Sequence, residues 1–361
     1  MSSATTGLPE AGFWHGRRVL LTGHTGFKGS WLTCWLRQLG AEVMGVSLPR
    51  PPTVPSLWDQ LGLPDVAELR TDIATTDWLA PARDFAPEVV LHLAAQSLVS
   101  VGYDQPALTF ETNVLGTVRV LELLATLTTV QACLVITTDK VYDPSQSAPH
   151  DESHSFGGRE PYSASKAAAE IVVAGWPPLP APVATARAGN VIGGGDWATD
   201  RLLPDLVRAW AAGDTPSLRR PQSVRPWQHV LEPLRGYLLY VEALAGGHEV
   251  AAGMNFGPAE EQSVRVGELV RFAAAEWQRR GGPLPDPPWS ESVEPPFVET
   301  GELTLDSSLA SKQLGWTSVL GWREAVAMTL DWYYRAGAGA DPATLVAEQL
   351  TTYTSMIRSQ Q

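Results

Sequence analysis

Residues 17–30 read RRVLLTGHTGFKGS, a short apolar run followed by glycines at positions 23, 26 and 29. The apolar run is typical of a buried strand that ends at Gly23. Apolar side chains then recur at helical spacing over Ser30–Leu39, and Gly40 ends that helix. The next apolar run, Ala41–Ser47, predicts a second strand. Strand, glycine turn, helix and strand within about thirty residues predict a βαβ unit.

The same alternation continues along the chain. Further strands are predicted at Glu68–Arg70, Val89–Leu93, Ala132–Thr137 and Val183–Arg187. Helices are predicted at Thr109–Leu127, Tyr162–Ala174, Leu202–Ala212, Pro233–Ala245, Val266–Arg279, Leu320–Tyr334 and Asp341–Ile357. Strands that alternate with helices predict an α/β fold with a doubly wound parallel sheet. Beyond Gly189, loops and scattered arginines predict a smaller, mixed lobe with strands that return to the sheet.

The composition limits the class of protein. The chain has 361 residues, of which 44% are hydrophobic and 18% charged, and this excludes a disordered chain. A formal net charge of −13 argues against a general binder of nucleic acid or anionic membranes. Cys34 and Cys133 are too few for a disulfide framework or a four-cysteine metal site, and no metal ligand is assigned. Without a signal peptide or an apolar run near ~20 residues, we expect a soluble, cytoplasmic protein.

The three glycines have the spacing with which a strand-to-helix turn binds a dinucleotide. Gly23 permits the tight turn, Gly26 lets the backbone approach a pyrophosphate, and Gly29 packs the helix against the strand. The helix N-terminus then offers free N–H groups and partial positive charge to phosphates. Glycines alone are compatible with an ordinary turn, whereas the βαβ context favours a Rossmann-type dinucleotide-binding domain, which we predict over residues 13–188.

The residues that would contact the adenosine end leave the choice of cofactor open. An acid at the end of the second strand would bond the 2′-hydroxyl of NAD, but Ser47 occupies that region, with Arg50 close behind. An NADP site therefore stays possible beside an NAD site. Asp72 and Ile73 follow a predicted strand and either hold the adenine edge or belong to a solvated loop.

Tyr162 and Lys166 are four residues apart on a predicted helix, which places them on one face. A phenol has a pKa near ~10 and is a weak base at neutral pH. A neighbouring ammonium would lower that pKa, so that the pair can take the proton from a sugar hydroxyl as hydride leaves the same carbon. The spacing is common by chance on exposed helices, and its position after a dinucleotide motif favours catalysis.

Together these motifs resemble the extended short-chain dehydrogenase/reductase family, in the group that acts on nucleotide-activated sugars. Three further runs carry the resemblance: LAAQS at 93–97, TTDKVY at 137–142 and RAGNVIGGGDW at 187–197. The runs FW at 13–14, TGHTGFKGSW at 22–31 and RPWQHVLEP at 225–233 are similar to the members that act as 4,6-dehydratases of CDP-glucose. The similarity extends from about Phe13 to about Trp332, without a match at 177–182 or after Tyr334.

The resemblance implies an NAD-binding set that lies along the whole first domain. This set is Gly23, Thr25, Gly26, Phe27, Lys28, Gly29, Ser47, Asp72, Ile73, Leu93, Ala94, Ala95, Thr112, Thr137, Tyr162 and Lys166.

The resemblance also implies the catalytic groups. Thr138 supplies the hydroxyl that assists Tyr162, and a desolvated, protonated Asp139 supplies the acid that a departing C6 hydroxyl needs. Lys140 acts in C5 chemistry as a base or as an electrostatic stabiliser, or else it is a surface charge paired with Asp151 or Glu152. Two alternatives stay open: an epimerase or dehydratase of another nucleotide sugar, and a cofactor-sensing protein without turnover.

The nucleotide sugar is expected to bind in the C-terminal lobe, residues 189–334, ahead of a helical tail at 335–361. By resemblance, its contacts come from Ser97, Asn190, Arg219 and Arg225. Related enzymes pair the helices that correspond to Thr109–Leu127 and Tyr162–Ala174 into a four-helix bundle, so a homodimer is implied.

Overall fold

The structure is a computed structural model that describes residues 7–259, 262–292 and 303–360. The predicted C-terminal lobe and tail therefore include some residues outside the described part. The strands are β1 Arg18–Thr22, β2 Glu42–Ser47, β3 Ala67–Arg70, β4 Val89–His92, β5 Ala132–Ile136, β6 Val183–Ala188, β7 Asn190–Ile192, β8 Ser217–Leu218, β9 Val224–His229, β10 Gly253–Phe256, β11 Ser263–Arg265 and β12 Ser290–Glu291.

The described ranges also contain fourteen α-helices. They are α1 Ala11–Trp14, α2 Phe27–Gln38, α3 Leu57–Leu61, α4 Leu79–Phe85, α5 Val99–Asp104, α6 Pro106–Phe110, α7 Gly116–Leu124, α8 Pro161–Gly175, α9 Leu202–Ala212, α10 Leu231–Ala245, α11 Val266–Arg279, α12 Ser308–Leu314, α13 Trp322–Gly337 and α14 Pro342–Ser359.

Seven strands form the main sheet, in the order β10-β6-β5-β4-β1-β2-β3. All of its neighbouring pairs are parallel. The order reverses between β1 and β4, which is where a doubly wound sheet opens a ligand crevice at the carboxyl ends of its strands. The predicted α/β fold with a doubly wound parallel sheet is confirmed.

Successive residues of one strand enter two different hydrophobic cores. On β1, Val19 and Leu21 pack in one core and Leu20 packs in the other. On β4, Val89 and Leu91 likewise pack in the first core and Val90 in the second. Helices α2 and α10 cover the first face, and α4, α7 and α8 cover the second. A sheet buried on both faces needs strands that are apolar throughout, which explains the unbroken apolar runs in the sequence.

Several predicted helices begin or end at different residues in the structure, and two of these differences have a local cause. The helix expected to begin at Ser30 begins at Phe27, because Gly26 has an extended backbone conformation and acts as its N-cap. The helix expected over Thr109–Leu127 is interrupted by a π-helical turn, Glu111–Leu115. The extra residue in this turn lets the Asn113 side chain bond the backbone of Gln96 and the Ser165 hydroxyl.

The chain after β6 builds a smaller region beside the sheet. Strands β7, β9 and β11 form a three-stranded sheet in which β7 is parallel and β11 antiparallel to β9. Strand β10 then returns to the edge of the main sheet, where it pairs with β6. Within the described residues, no helix is both long and apolar enough to cross a membrane.

Gly236 lies inside α10 where the helix meets the buried ring of Phe256. A Cβ at Gly236 would approach Phe256 Cδ1 to 2.3 Å, and that ring is packed against Tyr237 and Trp316. We expect Gly236→Ala to lower the free energy of unfolding in urea by about 1–3 kcal/mol, because this overpacking outweighs alanine's helix preference. Gly175→Ala, with nothing within 4 Å, is the control and should be neutral or slightly stabilising. Equal stabilisation of both variants would contradict this account of the packing.

Candidate active site

A cavity of about 1110 Å³ opens at the carboxyl ends of the strands in the main sheet. The loops after β1, β4, β5 and β6 form its floor and the C-terminal region forms its outer wall. Every site residue named from the sequence lines this cavity, including Thr112 on the π-helical turn and Arg219 and Arg225 of the outer wall. The cavity exceeds the ~300–1,000 Å³ of a pocket for one small ligand, so it has room for a dinucleotide beside a second substrate.

The glycine turn brings the backbone of β1 against the end of β4. Gly23 has φ of +74°, and a Cβ there would lie 2.6 Å from the Ala94 nitrogen. A Cβ on Gly29 would lie 2.1 Å from the Gly23 oxygen, so this glycine lets α2 approach the turn. The N-terminus of α2 consequently opens into the cavity, and its free N–H groups fit the pyrophosphate of a dinucleotide.

The opposite end of the same groove contains the residues predicted to contact the adenosine. Ser47 is buried at the end of β2 and accepts a hydrogen bond from Thr25 Oγ1 at 3.1 Å. The Asp72 carboxylate accepts from the Ala74 N–H at 2.9 Å, which orders the loop after β3, and Ile73 is buried beside it. Arg50 is exposed after β2.

Helix α8 carries Tyr162 and Lys166 into the cavity. Glu160 caps the helix by accepting hydrogen bonds from the backbone of Tyr162 and Ser163, each at 2.8 Å. Lys166 is buried, and its Nζ donates to the Ile136 carbonyl at the end of β5, at 2.9 Å. Burial lowers the pKa of Lys166 to about 8, against the opposing charge of Glu170.

The sequence predicts a lowered pKa for the Tyr162 phenol, and for the protein alone this prediction is wrong. Burial raises the pKa of the Tyr162 phenol to about 12, although hydrogen bonding with Thr138 and the charge of Arg201 oppose this. The Lys166 ammonium favours the phenolate, but desolvation of the buried phenolate is the larger effect here.

The segment after β5 places a carboxylic acid beside that phenol. Residues Asp139–Val141 form one turn of 3₁₀-helix, capped by the Thr138 hydroxyl, which accepts from the Lys140 N–H at 3.4 Å and donates to Asp139 Oδ1 at 2.9 Å. Asp139 is buried, and this burial raises the pKa of its carboxyl group against the charges of Lys140, Arg225 and Lys28. Within the described residues, Asp139 Oδ2 has no hydrogen-bond partner.

Two lysines flank this acid. Lys140 lines the cavity, and in the described part of the chain it forms no ion pair with Asp151 or Glu152. Those carboxylates bond instead to His154 and to the backbone of Asn255. The buried Lys28 donates from Nζ to the Tyr237 hydroxyl at 3.4 Å, and burial together with the charges of Arg201 and Lys166 lowers the pKa of Lys28 to about 7.

The outer wall contains the residues predicted to hold the nucleotide. Asn190 begins β7 opposite Trp227, and Arg219 pairs with Asp200 at 3.5 Å. The sequence motifs do not identify Arg201, which donates to Ser97 Oγ at 3.4 Å and lies 3.6 Å from Asp196. Arg201 immediately precedes the predicted helix at 202–212, and its position at the start of that helix is the sequence feature that could have identified it.

The sequence of this chain is similar to a protein family and to proteins of known name. A family model described as the NAD dependent epimerase/dehydratase family matches residues 19–253. The chain is 39% identical over 360 residues to the CDP-glucose 4,6-dehydratase of Salmonella typhimurium, covering 96% of this chain and 98% of that protein. It is 26% identical over 333 residues to a probable dTDP-glucose 4,6-dehydratase of Sinorhizobium fredii, covering 89% and 93%.

A solved structure extends the comparison to bound ligands. The structure of MoeE5 in complex with UDP-glucose and NAD matches with a TM-score of 0.74 at 25% identity, covering 88% of this chain and 99% of that one.

The raised pKa of Asp139 predicts a pH-dependent cost in stability. The folded state holds the proton of this carboxyl group more tightly than the unfolded state does, so ionising it as the pH rises lowers the free energy of unfolding. We expect Asp139→Asn to be more stable than wild type at pH 8, with the difference shrinking as the pH falls toward ~4. Urea unfolding at several pH values measures this, with the exposed Asp214→Asn as the control for amide substitution. A difference that is constant with pH would contradict the assignment.

Proposed function

The chain belongs to the NAD dependent epimerase/dehydratase family, and we propose that it converts CDP-glucose to CDP-4-keto-6-deoxyglucose and water. The observation that carries this proposal is the buried Asp139 carboxyl group beside Thr138, with one oxygen unpartnered in the described residues. An epimerase needs only to oxidise and reduce C4, whereas a dehydratase also needs an acid for the C6 hydroxyl. The similarity to a relative named as a CDP-glucose 4,6-dehydratase supports the choice of nucleotide.

NAD fits the groove between the glycine turn and Tyr162. We assign its pyrophosphate to the N-terminus of α2, its adenosine to the Ser47 and Asp72 end, and its nicotinamide to the side of Tyr162 and Lys166. The family and the NAD-bound neighbour support NAD over NADP. When bound, NAD would accept hydride from C4 and return it to C6, so the cofactor is regenerated in its oxidised form at the end of each cycle.

Tyr162 begins the reaction by accepting the proton of the C4 hydroxyl. Thr138 is its hydrogen-bond partner and favours the ionised phenol, and the Lys166 ammonium lies one helical turn away. Because burial opposes ionisation of Tyr162, the phenol becomes basic only when further positive charge enters the closed site.

Asp139 and Lys140 then act on C5 and C6. The C4 ketone acidifies the hydrogen on C5, and we assign Lys140 to this position, either to remove that proton or to stabilise the enolate. Asp139 Oδ2 donates its proton to the C6 hydroxyl, which leaves as water. The double bond between C5 and C6 then accepts hydride at C6 and a proton at C5.

The purified protein, without added NAD, should be incubated with CDP-, dTDP-, GDP- and UDP-glucose. We expect a 4-keto-6-deoxy product from CDP-glucose, with a deuterium label at C4 recovered at C6 by mass spectrometry. A galactose-configured product would indicate an epimerase, and a product from another nucleotide would reassign the substrate. No conversion of any sugar by a protein that binds nucleotide would favour a cofactor-sensing protein.

Two variants separate the oxidation from the elimination. Tyr162→Phe should lower kcat by about 10²–10⁴-fold and accumulate no ketone, because the proton acceptor for C4 is lost. Asp139→Asn should still oxidise C4 and accumulate the undehydrated 4-ketohexose, visible by rapid quench and mass spectrometry. If Asp139→Asn made the dehydrated product at the wild-type rate, Asp139 would not be the acid.

We also propose a homodimer formed through α8, the helix that carries Tyr162, and the neighbouring helix α6. Leu108 and Phe110 are exposed on α6 and Ile171 on α8, and these two helices pack against one another. Pairing with a second copy would cover these side chains and bring four helices together, since an isologous contact doubles each helix.

The dimer is tested by light scattering after gel filtration. Ile171 is 61% exposed on α8, and Ile171→Glu should shift the protein from dimer to monomer at micromolar concentration, because it places a charge in the apolar contact. Val54→Glu is the control, because Val54 is 95% exposed on the loop after β2. A wild-type monomer, or an unaffected Ile171→Glu dimer, would refute this interface.

A reducing compartment such as the cytoplasm suits the two thiols. Cys34 and Cys133 are free, and burial raises the pKa of the Cys34 thiol to about 12, which makes it a poor nucleophile. We propose the cytoplasm on this basis.

A further inference from the structure

A buried ion pair between Glu170 and Arg187 lies behind the catalytic segment. Arg187 on β6 donates from Nε to Glu170 Oε1 at 2.8 Å and from Nη2 to Oε2 at 3.0 Å. Glu170 belongs to α8, one turn beyond Lys166 and two turns beyond Tyr162, so the three side chains share a helical face. Both side chains of the pair are at most 5% exposed.

The pair binds both ends of the segment that carries Thr138, Asp139 and Lys140. At one end, Thr137 Oγ1 donates to Glu170 Oε1 at 2.5 Å. At the other end, Arg187 Nη1 donates to the Tyr142 hydroxyl at 2.8 Å, which in turn donates to Asn255 Oδ1 at 2.7 Å. The catalytic turn therefore closes a loop whose two ends are attached to one ion pair.

The surroundings hold Arg187 in one place. Its guanidinium carbon lies 5.3 Å from the centre of the Tyr142 ring and 4.8 Å from that of Phe156. A Cβ on Gly253 of the neighbouring strand would lie 2.4 Å from Arg187 Nη2, so a glycine is needed there. A buried ion pair gains little stability over apolar packing, because desolvation offsets the attraction. Its bidentate geometry instead determines where the attached groups lie.

Glu170 also acts on the charge of Lys166. Among the described residues, the titratable groups that act on Lys166 are Glu170 on its own helix, Lys28 from α2 and His92 from β4, and Tyr162 lies one turn before it on α8. Lys28 repels the ammonium, burial lowers the pKa of His92 to about 3 and leaves it neutral, and burial keeps Tyr162 neutral. Glu170 is thus the anion that opposes the desolvation of Lys166.

We propose that Glu170 and Arg187 are positioning residues for the dehydratase reaction. They hold the 138–140 turn against the Tyr162 helix, and the Glu170 carboxylate maintains the positive charge of Lys166. The inference concerns how this chain orders its proposed catalytic groups and rests on the proposed function. Glu170 and Arg187 touch neither substrate nor cofactor and act through Thr137, Tyr142 and Lys166.

The first test compares Glu170→Gln with a matched buried pair elsewhere. Glu232 and Arg235 on α10 lie 3.7 Å apart, and Glu232 accepts hydrogen bonds from the backbone of Val319 and Leu320 near the C-terminal helices. Glu170→Gln should lower kcat for CDP-glucose at least about tenfold, part of the 10²–10⁴ that positioned acid–base groups contribute, with KM changed less than about threefold. Glu232→Gln should lower stability and leave kcat and its pH profile unchanged.

The second test measures the charge of Lys166 without any substrate. The chain has four lysines, Lys28, Lys140, Lys166 and Lys312, so ¹³Cε-lysine labelling yields few signals, which single Lys→Met variants assign. In Glu170→Gln the pKa of Lys166 should fall by about one unit, and the basic limb of the kcat profile should move to lower pH equally. Glu170→Asp should restore part of the shift.

Tyr142→Phe separates the two effects and replaces Glu170→Gln if that variant does not fold. It removes the hydroxyl between Arg187 and Asn255 while leaving Glu170 in place, so kcat should fall about tenfold without a change in the Lys166 titration. An unchanged kcat in Tyr142→Phe, or an unchanged Lys166 titration in a folded Glu170→Gln, would overturn the proposal. Failure of the wild type to convert CDP-glucose would overturn the proposed function alone, since the lysine titration needs no substrate.

Discussion

Desolvation of charge at the carboxyl edge of the parallel sheet is the constraint on which the site depends. Seven parallel strands, covered by helices on both faces, direct the loops after β1, β4, β5 and β6 to one place. Ionisable side chains on those loops and on α8 are thereby enclosed with little solvent. Burial lowers the pKa of Lys28 and Lys166 and raises that of Asp139, which favours the neutral form of each group.

This desolvation supports the proposed acid of the reaction. A carboxyl group that holds its proton, as proposed for Asp139, can donate it to a leaving hydroxyl. Burial also lowers the pKa of Lys166 to about 8, and Glu170 opposes this loss of positive charge. Burial favours the neutral form of Tyr162 in the same way, so its phenolate is disfavoured unless positive charge is added to the cavity. The reaction groups are thus poised by their surroundings, and ligands that bring charge into the cavity change that balance.

Two buried ion pairs show how the fold compensates for charges that are removed from water. Glu170 and Arg187 form a bidentate ion pair that attaches both ends of the 138–140 turn, and Glu170 offsets part of the desolvation of Lys166. A second buried pair, Glu232 and Arg235, anchors α10 to the backbone before α13. Buried ion pairs in this protein therefore lie where separate chain segments must keep a defined position.

The sequence by itself determined the βαβ order, the dinucleotide turn and the membership of Thr138, Asp139, Tyr162 and Lys166 in one site. These follow from short-range patterns: glycine spacing, apolar runs and a four-residue helical interval. Only the tertiary structure decided the π-helical turn at Glu111–Leu115, the place of Arg201 and the direction of the Tyr162 pKa. Each of these depends on groups distant in the chain, because burial and long-range contacts are made only when the segments pack together.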